Sequence, residues 1–407
     1  MRAVARRCGY QELETPAVES LELYRVKSGE EIREEVWAFR DKGGREVALA
    51  AETTPSLARV FVDRAKSEPL PVKWFTLSRI WRYEEPQAGR TREFAQFNLD
   101  ILGVPGVEAE ADLLATAALL LDEAGAEGLY AFRLNDRYLA EGIGRHFGAT
   151  RPEEYFRAVD RLRKDPPEVT SEKLAAAGLA PGAQRELRAL LEESLTGVPA
   201  TEVAACWKRL REMQLPEPGP LGLERLERLF ALLAPLGLED RVYLDLTVVR
   251  GLAYYTGAVF EAFDRKGEHR ALFGGGRYDH LIELFGGPPT SACGLALGDQ
   301  TLETLLRGND RWPEGEPALD TYVVAVTPEQ VPLALQWANR LRRAGISADC
   351  DLMGRSLSRQ LREAARRRAR RAILLGPREL ARGVVVERDL ATGEQRERPP
   401  EGWLPGG

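Results

Sequence analysis

The stretch from 72 to 103, VKWFTLSRIWRYEEPQAGRTREFAQFNLDILG, limits what this chain can fold into more than any other. It reads as two strands around a charged loop. In the returning strand Phe94, Gln96, Asn98 and Asp100 alternate with Ala95, Phe97, Leu99 and Ile101, giving one polar and one apolar face. A polar row ending in a carboxylate must face water or a ligand, because burying such groups without partners costs about 2 to 7 kcal/mol each. Arg82 and Glu84 end the outgoing strand on a shared face, and Arg90 and Arg92 lie in the loop, so a cationic lip overhangs a polar floor. Guanidinium groups so placed suit phosphate or carboxylate oxygens. An exposed hairpin with a salt-bridged turn fits the same residues.

With 407 residues the chain has room for two or three domains, each with its own core. The formal net charge of -6 argues against a general polyanion binder and leaves any nucleic-acid contact to a local patch. No apolar run approaches the roughly 20 residues of a membrane span, and the opening MRAVARRCGYQELE has no signal-type segment, so a cytoplasmic location is expected. Cys8, Cys206, Cys293 and Cys350 lack paired CxxC spacing, which indicates neither a disulfide framework nor a protein-held metal.

Residues 1–8 have the pattern of a helix end closed by Gly9, too short to stand alone, so the chain is expected to begin inside an element. From 35 to 64 the Lys42-Gly43-Gly44 turn joins two alternating strands, and Thr54-Pro55 opens a helix with proline at its first position. By position alone Glu52 and Thr54 read as a helix-capping pair. Residues 106–147 give a helix, a strand over 129–135 and a second helix. The stretch 151–235 is helical in pattern almost throughout and interrupts the strands, which predicts an inserted helical domain with Trp207 in its core.

Strands return at 242, where Val242, Leu244, Leu246, Val248 and Arg250 share a face before Gly251 allows a bend. An arginine closing an apolar row beside a glycine suits a ligand-facing position. The glycines at 274–276 do not complete a dinucleotide fingerprint; they let the backbone approach a ligand ahead of a helix expected near Arg277. RGNDRWPEGEPA, 307–318, is a linker. Beyond it, strands at 321–326, 347–352, 371–375 and 384–388 alternate with helices, predicting a small α/β domain. Its stretch GRSLSRQLREAARRRARRAILLG is rich in arginines that cannot all enter a core, so they form either a surface for a phosphate backbone or a solvated helix.

Arg82-Tyr83-Glu84, PQAGRTREF and the run Gln96 to Asp100 together resemble the second signature motif of class II aminoacyl-tRNA synthetases, in the form used by the histidyl-tRNA synthetase family. The resemblance covers nearly the whole chain and is of the archaeal and eukaryotic type. Gly9 to Glu19 resembles the first motif, RGLAYYTG at 250–257 the histidine-specific signature, and GLALGDQTLETLL the third motif. The implied fold class is α/β (α+β). An antiparallel catalytic core would comprise 1–150 and 236–306, with a helical insertion at 151–235, a linker at 307–318 and an α/β anticodon-binding domain at 319–407.

The resemblance implies ATP, with Mg2+ bound to it, L-histidine and tRNA(His) as partners, in a homodimer built on the first motif. It places Arg82 and Arg250 as catalytic cations at the α-phosphate, with Glu84, Arg90 and Gln300 completing the ATP site. Glu52, Thr54, Gln96, Asp100, Arg250, Tyr254 and Tyr255 would hold histidine, Asp100 and Tyr255 gripping its imidazole. Arg355, Arg359, Arg362 and Arg366 would meet tRNA. The chain departs from the pattern at Ala50 and Ala51 (family arginine and proline), at Ala253 (aspartate) and at Gln300 (arginine), and in a short N-terminus that implies a displaced start or a truncated paralogue. Two readings follow: a histidine-tRNA ligase, and a catalytically impaired paralogue that senses histidine, similar to the regulatory subunit of ATP phosphoribosyltransferase. The tRNA-type C-terminal domain favours the first, the departures the second.

Overall fold

The computed structural model of the chain describes residues 1–28, 36–83, 91–249, 254–267, 271–313 and 319–400. It divides into two units, Met1–Trp312 and Pro313–Gly407. In the first, the strands in chain order are β1 (Gln11–Glu12), β2 (Val18–Ser20), β3 (Ala38–Arg40), β4 (Glu46–Leu49), β5 (Val72–Trp81), β6 (Glu93–Leu102), β7 (Tyr130–Asp136), β8 (Val198–Pro199), β9 (Val242–Leu244), β10 (Ala258–Asp264), β11 (Phe273–Arg277) and β12 (Ala292–Gly298). Nine of them make one sheet in the order β1-β5-β6-β12-β11-β10-β7-β9-β8, while β2, β4 and β3 form a small second sheet. The large sheet is antiparallel except at the β1/β5 and β7/β9 pairs.

Register explains why this sheet carries a site. On β6, Gln96, Asn98 and Asp100 pair with Gly298, Ala296 and Gly294 of β12, and the last two pair with Gly274 and Gly276 of β11. Since side chains alternate between faces, the polar row of β6 borders rows of glycine and alanine, and the missing side chains leave open volume above the sheet. The other face carries Phe97, Leu99, Leu295, Leu297, Phe273 and Phe260 into the main core. Helices Glu108–Leu121 and Gly219–Leu233 contribute their buried leucines to that same core.

The stretch expected to be helical contains Pro152–Asp160, Pro167–Ala176, Pro181–Ser194, Ala204–Glu212 and Gly219–Leu233. Proline in the first turn of four of them marks their starts, where its missing N–H costs nothing. Trp207 is buried and meets Phe230 edge to face, in one continuous core with the sheet.

Two local expectations change. The strand opening at Val242 ends at Leu244 instead of reaching 250. The buried Asp245 carboxylate accepts from the backbone N–H and the hydroxyl of Thr247, a side-chain turn that competes with continued pairing. Gly274–Gly276 lie within β11, not in a loop, and the next helix starts at Leu281. Glycine is needed there for strand packing: a Cβ at Gly276 would stand 2.8 Å from the Tyr255 ring.

The second unit has a five-stranded sheet of β13 (Leu319–Ala325), β14 (Ala348–Cys350), β15 (Ala369–Leu375), β16 (Val385–Asp389) and β17 (Gln395–Arg398). Its order is β14-β13-β15-β16-β17, with β13 parallel to both neighbours and the last two strands antiparallel. Helix Val331–Arg343 covers it through Trp337 and Leu341.

Candidate active site

Two cavities lie on the polar face of the nine-stranded sheet. The smaller, about 160 Å³, is bounded by Glu52 and Thr54 from the start of helix Thr54–Arg64, by Asn98 of β6, and by Tyr254, Tyr255 and Tyr278. The larger, about 680 Å³, extends past Phe94, Thr247 and Glu261 to Gln300 and Thr301 at the head of helix Asp299–Gly308. Arg82, Gln96, Gly274 and Ala296 line both, so the cavities adjoin at Arg82. Pockets for drug-sized ligands run to about 300–1,000 Å³, a range that holds the larger cavity and lies above the smaller one.

Asp100 pairs with Gly294, which lines the smaller cavity, but does not line it itself and is 1% exposed. The Tyr278 hydroxyl donates to its Oδ1, while Oδ2 is buried without a hydrogen-bond partner among the described residues. Burial pushes the carboxyl up to about 7, with the Tyr278 hydrogen bond acting the other way. Burial, followed by the neighbouring carboxylate, holds the Tyr278 hydroxyl well above its ordinary range. An acceptor with one oxygen taken and the other unmet is built to receive a donor from a ligand. Tyr254 lies between the other two phenols, with ring centroids 4.8 Å from Tyr255 and 6.0 Å from Tyr278.

Arg82 is held by its Nε donating to the carbonyl of Ala51 at 3.0 Å, and its guanidinium stands 5.5 Å from the Phe94 ring. Ala51 meets Arg82 through its backbone carbonyl, while its side chain is buried with Leu21, Tyr24, Val36 and Ala48. The Thr53 side chain makes no capping hydrogen bond to the helix it precedes, and Glu52 and Thr54 face the smaller cavity. A buried pair supports this wall from below: Arg277 is 0% exposed and donates from Nε and Nη2 to the two oxygens of Glu110, both at 2.6 Å. Arg277 immediately precedes Tyr278, so the pair fixes the strand end that carries the phenol.

Of the residues singled out in the sequence, Glu52, Thr54, Arg82, Gln96, Tyr254 and Tyr255 line the smaller cavity, Asp100 pairs with its lining residue Gly294 without lining it, and Gln300 lines the larger one. Glu84, Arg90, Arg250 and Ala253 fall outside the described residues. Sequence reasoning did not single out Tyr278, whose signal was its place directly after the glycine run and Arg277. It also overlooked Arg161, Arg163 and Lys164, which come from the helical stretch and line the larger cavity. Their pattern in sequence was that of any charged turn.

In the second unit, Arg359 and Arg362 are exposed on helix Leu357–Arg366 and have no ion-pair partner among the described residues. Arg355 and Arg366 share Glu363, at 3.6 and 2.6 Å. Arg366 and Arg367 hold the Glu363 carboxyl down at about 2.

An antiparallel sheet with a larger cavity beside a smaller one is the catalytic architecture of a class II synthetase. The structure of histidyl-tRNA synthetase from Nostoc sp. PCC 7120 superposes with a TM-score of 0.83 at 23% identity, covering 98% of this chain and 91% of that one. A structure described as an ATP phosphoribosyltransferase regulatory subunit/histidyl-tRNA synthetase from Bacillus halodurans gives 0.72 at 21% identity over 89% of each chain. The histidyl-tRNA synthetase family model matches residues 1–302, and an anticodon binding domain model matches 320–402. The histidine–tRNA ligase of Thermoplasma volcanium is 36% identical over 97% of this chain and 89% of its own length. The chain belongs to the histidyl-tRNA synthetase family.

Proposed function

We infer that this chain is a histidine–tRNA ligase, which uses ATP to activate L-histidine as histidyl-adenylate and transfers the histidyl group to tRNA(His). The observation that carries the reading is the buried Asp100, with one oxygen occupied by Tyr278 and the other unmet among the described residues, beside a pocket of about 160 Å³. Imidazole offers a donor on one nitrogen and an acceptor on the other. Asp100 takes the donor and the Tyr255 phenol meets the acceptor; an aliphatic side chain would leave both unmet, at about 1 to 3 kcal/mol per group. Glu52, Thr54 and Gln96 face the α-amino group.

The histidine carboxylate then attacks the α-phosphorus at the junction of the cavities, where Arg82 meets the charge that develops on the phosphoryl oxygens, and pyrophosphate leaves into the larger cavity. Arg250 and Arg90 are assigned to the same phosphates and Glu84 to the nucleotide, on the resemblance of their motifs. The larger cavity offers the carboxylates of Asp160 and Glu261, which fit the one-or-two-carboxylate binding of a hard cation, so Mg2+ accompanying ATP would be held there. That ion would neutralise phosphate charge. The first-motif segment, with Val18 45% exposed, is assigned to a homodimer interface, and the location is assigned to the cytoplasm. Among the described residues no helix is long and apolar enough to cross a membrane.

The test is histidine-dependent ATP–pyrophosphate exchange with purified protein, followed by charging of tRNA(His). Histidine binding without exchange would instead support the sensing paralogue, the reading raised by the likeness to the Bacillus halodurans structure. The anticodon-type domain at 320–402 weighs for the ligase.

A further inference from the structure

The charges around the larger cavity are unevenly placed. At the head of helix Asp299–Gly308, Gln300 is neutral, and the Thr301 hydroxyl is already committed to the carbonyls of Leu272 and Gly298 at 2.9 and 3.0 Å. Among the described residues that wall therefore offers no cation to an anionic ligand. The turn after helix Pro152–Asp160 brings Arg161, Arg163 and Lys164 to the same cavity.

This turn is a built feature. Arg163 forms an ion pair with Asp245, which is 0% exposed, and donates to the carbonyl of Leu195 at 2.6 Å. Asp245 is in turn fixed by Thr247, itself a cavity residue. The turn closes on itself through the Lys164 N–H donating to the Arg161 carbonyl at 2.8 Å. With Arg163 committed to Asp245 and Arg161 paired with Asp165, the unpaired cation of the turn among the described residues is Lys164. Arg161 is half-exposed and shares Asp165 with Lys173. Lys164 is exposed and has no ion-pair partner among the described residues.

We propose that Lys164, assisted by Arg161, binds the terminal phosphates of ATP and the pyrophosphate leaving group, supplying from the helical segment a charge that the neutral Gln300 does not. The proposal rests on the ligase reading and adds to it the residues that hold the leaving group. When the histidine carboxylate oxygen bonds to the α-phosphorus, the α–β bridging bond breaks and its electron pair departs with pyrophosphate. The cations on the turn meet the phosphate charge in bound ATP and in the departing pyrophosphate alike.

Lys164→Gln and Arg161→Gln change exposed side chains outside the core, so the fold is retained. In ATP–pyrophosphate exchange without tRNA, each is expected to raise KM for ATP and for pyrophosphate by about tenfold, as the loss of one charge-assisted contact does, with KM for histidine unchanged. Adding Gln300→Arg to the Lys164→Gln variant restores much of the loss by placing a cation at the head of helix Asp299–Gly308. Unchanged KM for ATP and pyrophosphate overturns the proposal; if the KM for tRNA in charging rises instead, the turn serves phosphates of the RNA. Should the parent protein give no exchange, the ligase reading fails on its own terms, and direct binding of inorganic pyrophosphate and ATP to parent and variants still decides whether Lys164 holds phosphate.

Discussion

Tyr278 donates its hydroxyl to Asp100 across an intervening strand, over a backbone that has no side chain to obstruct it. Asp100 lies on β6 and Tyr278 directly follows β11, with β12 between them. A Cβ at Gly294 of β12 would stand 2.6 Å from the phenol oxygen, so glycine at that register position is what permits the contact. In the proposed reading the specificity of the smaller cavity rests on a pair that no single sequence segment contains.

Removing either partner therefore affects one substrate and not the other. Asp100→Ala should raise KM for histidine at least tenfold while leaving KM for ATP within about twofold, since a charged hydrogen bond contributes about 1.5 to 3 kcal/mol. Tyr278→Phe keeps the ring packing and should raise the histidine KM by a smaller factor. Exchange kinetics with each substrate varied in turn measures both, and equal losses for histidine and ATP would rule out the assignment.

The same carboxylate gives a stability signature. Its ordinary value of 3.8 is pushed up to about 7 by burial, so between those limits the folded chain holds a proton that the unfolded chain has released. Bound protons then favour the fold, and stability falls as pH rises through this window, levelling above it. Asp136, also raised to about 7 chiefly by burial, acts in the same direction. Comparing parent with Asp100→Asn isolates one group: the variant should gain on the parent by up to about 1.4 kcal/mol per pH unit from 4 to 7 and no further above 8. Urea unfolding across that range reads the difference, and a flat difference would show that Asp100 ionises normally in the fold.

Glu110 and Arg277 are both fully buried and paired at 2.6 Å, so each depends on the other for compensation. Glu110→Gln leaves a buried guanidinium without its main counter-charge, and such a loss costs about 3 to 5 kcal/mol. The unfolding midpoint should drop accordingly, and the histidine KM should rise because Tyr278 follows Arg277. A cost below about 1 kcal/mol would mean that Asp279, at 3.1 Å, compensates for the missing charge.

The central hairpin was legible because period two and a polar row leave few alternatives, and the small C-terminal domain because its strands and helices alternate. The proline-initiated helices after 151 were equally plain. The end of β9 was hidden because Asp245 replaces ladder bonds with a side-chain turn, a competition that an alternating pattern does not register. The glycine run looked like a loop because glycine is usually found there; its role in a strand depends on Tyr255, which packs against it from a separate segment. Tyr278, Arg161 and Lys164 reach the site only through register and tertiary packing. Glu52 and Thr54 were open to a capping reading that the geometry replaces with a cavity-facing one.

The arginines of the C-terminal helix separate into two groups that should behave differently toward tRNA. Arg355 and Arg366 are engaged by Glu363, so part of their charge is already neutralised. Arg359 and Arg362, three residues apart and thus on one side of the helix, are exposed without such a partner among the described residues. Each phosphate contact releases a counterion, which makes the logarithm of affinity fall with the logarithm of salt by about 0.7 to 0.9 per contact. Reversing Arg359 and Arg362 to glutamate should weaken tRNA(His) binding at least tenfold at low salt and reduce the slope by about 1.4 to 1.8 for the two contacts. Reversing Arg366 alone should change the slope by less, because its charge already serves Glu363. Titrations of tRNA at several salt concentrations give the slopes directly. If Arg366 proved as important as the Arg359–Arg362 pair, the RNA would have to displace the ion pair on Glu363, and the exposed arginines would be only a solvated face.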